Sequence, residues 1–315
     1  MSSPPTIEEI REAAERIAPY IHRTPVLTSH ALDTITGGHL YFKCENFQKV
    51  GAFKFRGACN AIFSLPEEKA RSGVATHSSG NHAQAVALAA KLREIPSYIV
   101  MPENAPRVKV AAVRNYGAEI TFCESTLEAR ESTLESLVAE TGAHFIHPYD
   151  DFRIICGQAT CALEFFSQTP CLDYLLAPVG GGGLLSGTAL TTRSVSPQTS
   201  VIAVEPAGAD DAYRSFYAGH IIPSVQPETV ADGLLTSLGE KTFPVIQEYV
   251  EDIITVEDRK IIAAMRLIWE RMKIVVEPSA AVPLAALIKG NPFPQNQRIG
   301  LILSGGNVDL DRLPW

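Results

Sequence analysis

A lysine that attacks a carbonyl must first lose its proton, and the stretch GAFKFRGA (51–58) sets Lys54 between Phe53 and Phe55, bracketed by small residues. Burial between two rings disfavours a charged amine. The same alternation fits a half-buried strand carrying an exposed charge, so the stretch alone leaves both readings open. Four consecutive glycines, Gly180, Gly181, Gly182 and Gly183, follow the apolar run YLLAPV (174–179). A loop of this kind lets the backbone close around an anion, with its N–H groups beside the positive end of a helix. It is neither G-x-G-x-x-G nor a loop ending in Gly-Lys-Ser/Thr, which disfavours dinucleotides and nucleoside triphosphates.

Two further loops carry polar groups. HSSGNHAQA (77–85) concentrates Ser78, Ser79, Asn81 and His82 where a loop turns into a helix. These side chains either cap the helix or, with its free amides, receive a carboxylate. EPAGADDA (205–212) offers Glu205, Asp210 and Asp211, which read either as a solvated acidic turn or as oxygen ligands for a hard divalent cation. The last apolar run ends in SGGN (304–307), where a turn and a ligand contact fit equally well. The eight histidines include no H-x-x-x-H or H-E-x-x-H spacing, so a transition-metal centre is not indicated.

The elements that must position these groups alternate between strand and helix patterns. Residues 6–19 read as an amphipathic helix, with Thr6 and Glu9 as a capping box. Short apolar runs at 73–77, 97–101, 118–123 and 143–147 alternate with helical stretches at 82–92, 107–116 and 125–141. A second block begins near Asp151, with a helix through Phe166, strands at 174–179, 200–206 and 298–307, and helices at 184–193, 256–272 and 280–288. This alternation predicts an α/β fold of two lobes, each with an open, mainly parallel twisted sheet flanked by helices. The expected large lobe comprises 1–67 and 151–315, with a small inserted lobe over 68–150.

Composition narrows the class. The 315 residues carry 27 Lys+Arg against 35 Asp+Glu, a net charge of −8, which argues against a nucleic-acid or anionic-membrane partner. No run approaches the length of a membrane span, and MSSPPTIEEI lacks the pattern of a secretory signal. Six cysteines without a C-x-x-C pair read as reduced thiols of a cytoplasmic protein.

Seven stretches in order, FQKVGAFKFRGA, HSSGNHAQAVA, PVGGGGLLSG, EPAGADDA, ADGL, WERMKIVVEPSA and LSGGNVDL, make the chain similar to one family over nearly its whole length. It resembles the fold-type II (tryptophan synthase β-like) pyridoxal-phosphate enzymes, in the group of serine racemases, serine/threonine dehydratases and 3-hydroxyaspartate ammonia-lyases. The resemblance implies that Lys54 carries pyridoxal 5'-phosphate and Phe53 packs against its ring. The amides of Gly180–Gly183 and Leu184 would hold the phosphate, Asn81 would touch the ring hydroxyl, and Ser304 would face the pyridine nitrogen. A serine there leaves the ring largely unprotonated, which favours chemistry in which a β-leaving group drains the charge. Ser78, Ser79, Asn81 and His82 would bind the substrate carboxylate, and Arg130 a distal substrate group. Lys54 would take the Cα proton and Ser79 would exchange it on the opposite face. Mg2+, or Ca2+ or Mn2+ in its place, would sit on Glu205, Asp211 and the Ala209 carbonyl. Lys49 and Asn307 match nucleotide contacts in animal racemases, which implies ATP as an effector, and the family implies a homodimer.

The implied reaction is β-elimination of a small β-hydroxy amino acid, L-serine, L-threonine or 3-hydroxyaspartate, to a 2-oxo acid and ammonia, with serine racemisation available. Two departures favour elimination: HPYDDF (147–152) is closer to dehydratases than to animal racemases, and Ala52 stands where racemases carry a hydroxyl. A dedicated 3-hydroxyaspartate ammonia-lyase, a β-replacement synthase of the cysteine-synthase type and a cofactor-binding module without turnover are the competing readings.

Overall fold

The structure is a computed structural model and describes residues 3–315 apart from Pro106 and Lys289. The chain opens with α1 (Ile7–Ile17), β1 (Val26–Leu27), α2 (His30–Thr36), β2 (His39–Cys44), α3 (Lys54–Phe63) and α4 (Glu67–Ala70). Next come β3 (Val74–His77), α5 (Asn81–Arg93), β4 (Ser97–Pro102), α6 (Arg107–Asn115), β5 (Glu119–Cys123), α7 (Leu127–Thr141) and β6 (His144–Phe145). The chain then runs through α8 (Phe152–Phe166), β7 (Tyr174–Pro178), α9 (Gly183–Val195), β8 (Ser200–Pro206), α10 (Asp211–Ala218) and α11 (Thr242–Tyr249). It closes with β9 (Asp252–Val256), α12 (Asp258–Met272), α13 (Pro278–Ala285) and β10 (Arg298–Leu303).

Two sheets result. One has the order β1-β2-β10-β7-β8-β9 and the other β5-β4-β3-β6. Every pairing is parallel except β1 with β2. The large sheet is buried on both faces, as continuous apolar runs require. Leu176, Ile202, Val204, Leu301 and Leu303 face α12 and α13, whereas Leu175, Ala177, Val201, Ala203 and Ile302 face the opposite side with α8 and α9. The smaller sheet packs Val74, Ile99 and Met101 against α3 and α5.

Thr6 caps α1 in the expected capping box. Three sequence readings are corrected. Lys54 does not lie on a strand: it is the first residue of α3. The apolar run 143–147 forms a strand only over His144–Phe145; the Ile146 amide still donates to the Ala75 carbonyl (2.8 Å), and from His147 on the chain turns, with His147 Nδ1 accepting from the Asp150 amide. The helix read over 256–272 starts at Asp258, and the residues before it form β9 at the edge of the large sheet. Because the strands are parallel, their carboxyl ends gather. The loops Glu45–Phe53, Ser78–Gly80, His147–Asp151, Val179–Gly182, Ala207–Asp210 and Ser304–Asn307 all leave such ends, where open α/β sheets bind ligands.

Candidate active site

Lys54 is aimed by a bend that the sequence does not advertise. Val50 and Gly51 both take left-handed backbone, with φ of 56° and 68°. For a β-branched valine this is a strained conformation, costing on the order of 1–3 kcal/mol. The loop after β10 holds it there: Asn307 Nδ2 donates to the Val50 carbonyl (2.6 Å) and the Gly306 amide to the Gly51 carbonyl (2.9 Å). One turn on, the Phe53 amide donates to the Ser304 carbonyl (2.9 Å), so the start of α3 is tied to the buried Ser304. Lys54 Nζ then donates to the Pro148 carbonyl (2.8 Å), with the Phe53 ring centroid 5.3 Å away. Burial pulls the amine down from 10.5 to about 8. Of the two flanking phenylalanines Phe53 is the one beside it, because on a helix Phe55 turns into the core with Ala58 and Cys59.

The tetraglycine lies where β7 meets α9. Gly182 has φ of 87° and occupies the cap position of α9, and no side chain caps that helix. The loop is closely covered. A Cβ on Gly181 would stand 2.3 Å from the Tyr149 ring, and one on Gly182 2.9 Å from Thr242. Glycine here leaves the first amides of a thirteen-residue helix open to an anion.

Ser78 and Ser79 are half-buried at the end of β3, and Gly80 occupies the cap position of α5. Side-chain capping by Ser78, Ser79 or Asn81 does not occur, which corrects one of the two readings of this loop. Ser78 Oγ instead accepts from the Gly80 amide (3.2 Å). Asn81 donates to both oxygens of Glu277 (2.9 and 3.2 Å) and accepts from Asn307 Nδ2 (2.8 Å). His82 is buried; its Nε2 meets the Ile146 carbonyl (3.1 Å) while Nδ1 has no partner.

Sequence reasoning missed two groups. Glu277 is buried, and burial, then the nearby Asp232, push its carboxyl up to about 8. Its signal was a lone acid inside the apolar run VVEPSAAVPLAAL. His147 accepts from the amides of Tyr149 (3.2 Å) and Asp150 (2.8 Å) through Nδ1. Burial lowers it to about 4, so the ring is neutral with its proton on Nε2. The same cause, with Arg130, lowers His77 to about 4.

Asp211 and Glu205 lie together after β8. The Glu205 oxygens accept from the amides of Ala212 (2.9 Å) and Tyr213 (2.8 Å), while both Asp211 oxygens are buried without a well-formed hydrogen bond. Burial raises both, Glu205 to about 8 and Asp211 to about 6, with the Ser224 hydroxyl partly offsetting the rise at Asp211. Ala209 is buried in the turn between them. No group of three His, Cys, Asp or Glu side chains placed to hold a metal ion forms among the described residues. Arg130 Nε donates to the Thr126 carbonyl of its own helix (3.2 Å) and makes no ion pair among the described residues. Lys49 lies over Phe55 (5.9 Å), and the Asn307 amide is occupied by Val50 and Asn81.

The chain has known relatives. The family described as pyridoxal-phosphate dependent enzyme matches residues 17–305. The chain belongs to that family. Within it, the chain is 53% identical over 311 residues to the β-hydroxyaspartate dehydratase of Paracoccus denitrificans, covering 99% of each chain. It is 51% identical to the serine racemase of Dictyostelium discoideum, covering 98% of this chain and 96% of that one. A solved maize serine racemase superposes with a TM-score of 0.96 at 48% identity, over 98% and 95% of the two chains. The fold is that of the fold-type II pyridoxal-phosphate enzymes.

The residues present fit the cofactor. A part-buried lysine with a depressed pKa can hold its carbonyl carbon, and the uncapped glycine start of α9 can hold its phosphate. The carboxyls of Glu205 and Asp211 beside the Ala209 turn offer only oxygen donors, the chemistry a hard cation would take, and the Asp211 oxygens are buried without a well-formed hydrogen bond.

Proposed function

We propose that the chain catalyses β-elimination of a small β-hydroxy amino acid to a 2-oxo acid and ammonia, with serine racemisation open to it through Lys54 and Ser79. The observation that carries this reading is the depressed Lys54 amine, tied through Pro148, Phe53 and the Asn307–Asn81 bond to three of the loops at the sheet edges. The relatives named as a dehydratase and as racemases support both activities.

Bound pyridoxal phosphate supplies the electron sink for a Cα carbanion. The chain's own groups do the rest. The free start of α5, with Ser78, Ser79 and Asn81, receives the substrate carboxylate. Lys54 Nζ takes the Cα proton, and burial keeps enough of it neutral near pH 8 to do so. Departure of the β-hydroxyl as water is balanced by the water that later releases ammonia, so no oxidant is consumed. Ser79 Oγ returns a proton on the opposite face when racemisation competes. Ser304 would face the pyridine nitrogen of the bound cofactor, and Phe53 would pack on its ring. Glu205, Asp211 and the Ala209 carbonyl would hold Mg2+, with Ca2+ or Mn2+ as substitutes. Residues 1–67 and 151–315 form the cofactor lobe, and 68–150 the substrate lobe.

One observation favours 3-hydroxyaspartate among the substrates. The Arg130 guanidinium pairs with no carboxylate among the described residues and is near enough to His77 to help lower it. A free guanidinium beside the carboxylate loop suits a β-carboxylate. The test is Ser79→Ala: D-serine formation from L-serine is lost while 2-oxo acid release persists. Equal loss of both contradicts the two-face assignment.

A further inference from the structure

The segment between β6 and α8 touches both halves of the candidate site. Pro148 receives the Lys54 amine and the Tyr149 ring covers Gly181. The third residue, Asp150, reaches elsewhere. Its side chain is only 14% exposed. Oδ1 accepts from the amides of Lys241 (2.7 Å) and Thr242 (3.3 Å) at the start of α11, a helix with no side-chain cap of its own. A Cβ on Gly239 would stand 2.2 Å from that oxygen, so glycine is what admits the carboxylate. Thr242, held this way and fully buried, accepts from the Gly239 amide (2.8 Å) and donates through Oγ1 to the Gly181 carbonyl (2.9 Å).

We propose that Asp150 is a positioning residue for the anion cradle, acting through Thr242 on the peptide between Gly181 and Gly182. That peptide is planar and trans, so fixing the Gly181 carbonyl toward Thr242 points the Gly182 N–H the opposite way, off α11. Two glycines place no steric limit on rotation of this peptide, and the Thr242 bond supplies the limit. The inference rests on the reading that the glycine loop holds the cofactor phosphate.

Full-length protein stripped of cofactor is titrated with pyridoxal phosphate and, separately, with pyridoxal, following the visible absorbance of the bound cofactor. The wild type is expected to prefer the phosphorylated form. Asp150→Ala weakens pyridoxal phosphate binding by about tenfold, the scale of one lost cap, and leaves pyridoxal unchanged. Asp150→Asn, which keeps an acceptor oxygen, restores most of the preference. If Asp150→Ala does not fold, Thr242→Val and Thr242→Ser give the same contrast, the serine retaining the hydroxyl. An unaltered preference in Asp150→Ala or Thr242→Val, or an equal loss for both ligands, overturns the proposal. A wild type that binds the two ligands alike overturns the phosphate reading itself, and this inference with it.

Discussion

Burial holds the Lys54 amine at about 8 instead of 10.5, so the folded protein binds fewer protons than the unfolded chain between those values. The stability cost of this lysine is therefore full below pH 8 and is relieved as pH rises through that window. Capture of pyridoxal phosphate by the stripped protein needs the neutral amine, so its rate is expected to rise by about tenfold per unit below pH 8 and to level off above. A rate without this limb contradicts the assignment. Glu277 has the opposite sign. Burial raises it from 4.5 to about 8, the Asp232 charge adding to the rise and Lys109 and the Asn81 and Asn307 donors opposing it. Its contribution is present below pH 4.5 and is lost as pH approaches 8. Glu277→Gln, neutral throughout, should flatten the fall of Tm over that range, whereas an unchanged slope would show the carboxyl already ionised. At this scale the sequence was half legible. The unusual setting of Lys54 was visible, but alternation in GAFKFRGA suggested a strand. The left-handed pair Val50–Gly51, stabilised by Asn307 from 257 residues away in the chain, could not be read locally.

The elements beneath the lysine are packed too closely for substitution. A Cβ on Gly157 of α8 would stand 2.5 Å from the Arg56 carbonyl of α3. Arg56 is fully buried in a two-pronged pair with Glu45 (2.8 Å each) and also reaches Glu164. Gly157→Ala should thus force α3 outward and lower stability by about 1–3 kcal/mol, measured by denaturant unfolding. It should also weaken cofactor retention, since Lys54 begins the displaced helix. Unchanged stability would mean that the crossing yields freely. Helices and strands with strong periodicity were legible to within a few residues, because both faces of the large sheet demand apolar runs. β9 was not: DIITV is a short run cut off from the apolar pattern of α12 by EDRK (257–260), and its pairing with β8, distant in sequence, is what makes it a strand.

For the molecule as a whole, parallel order brings the carboxyl ends of both sheets, and so most candidate loops, toward the site. The α/β alternation made that legible, whereas the insertion of β10 between β2 and β7 depends on contacts distant in sequence. No helix among the described residues is long and apolar enough to cross a membrane. The buried Asp211 oxygens, without a well-formed hydrogen bond, should make stability respond to Mg2+. At a hundredfold excess over Kd, Mg2+ adds about 2.7 kcal/mol, a gain that chelator removes. Asp211→Asn should lose this response while being no less stable without the cation, and a retained response would place the cation elsewhere. Elimination at Lys54 is read out by steady-state turnover of L-serine, L-threonine and 3-hydroxyaspartate, followed as 2-oxo acid release with pyridoxal phosphate and Mg2+ present. At least one substrate should yield equal amounts of 2-oxo acid and ammonia in the wild type and none in Lys54→Ala; release from none of the three, or undiminished release in Lys54→Ala, would contradict it.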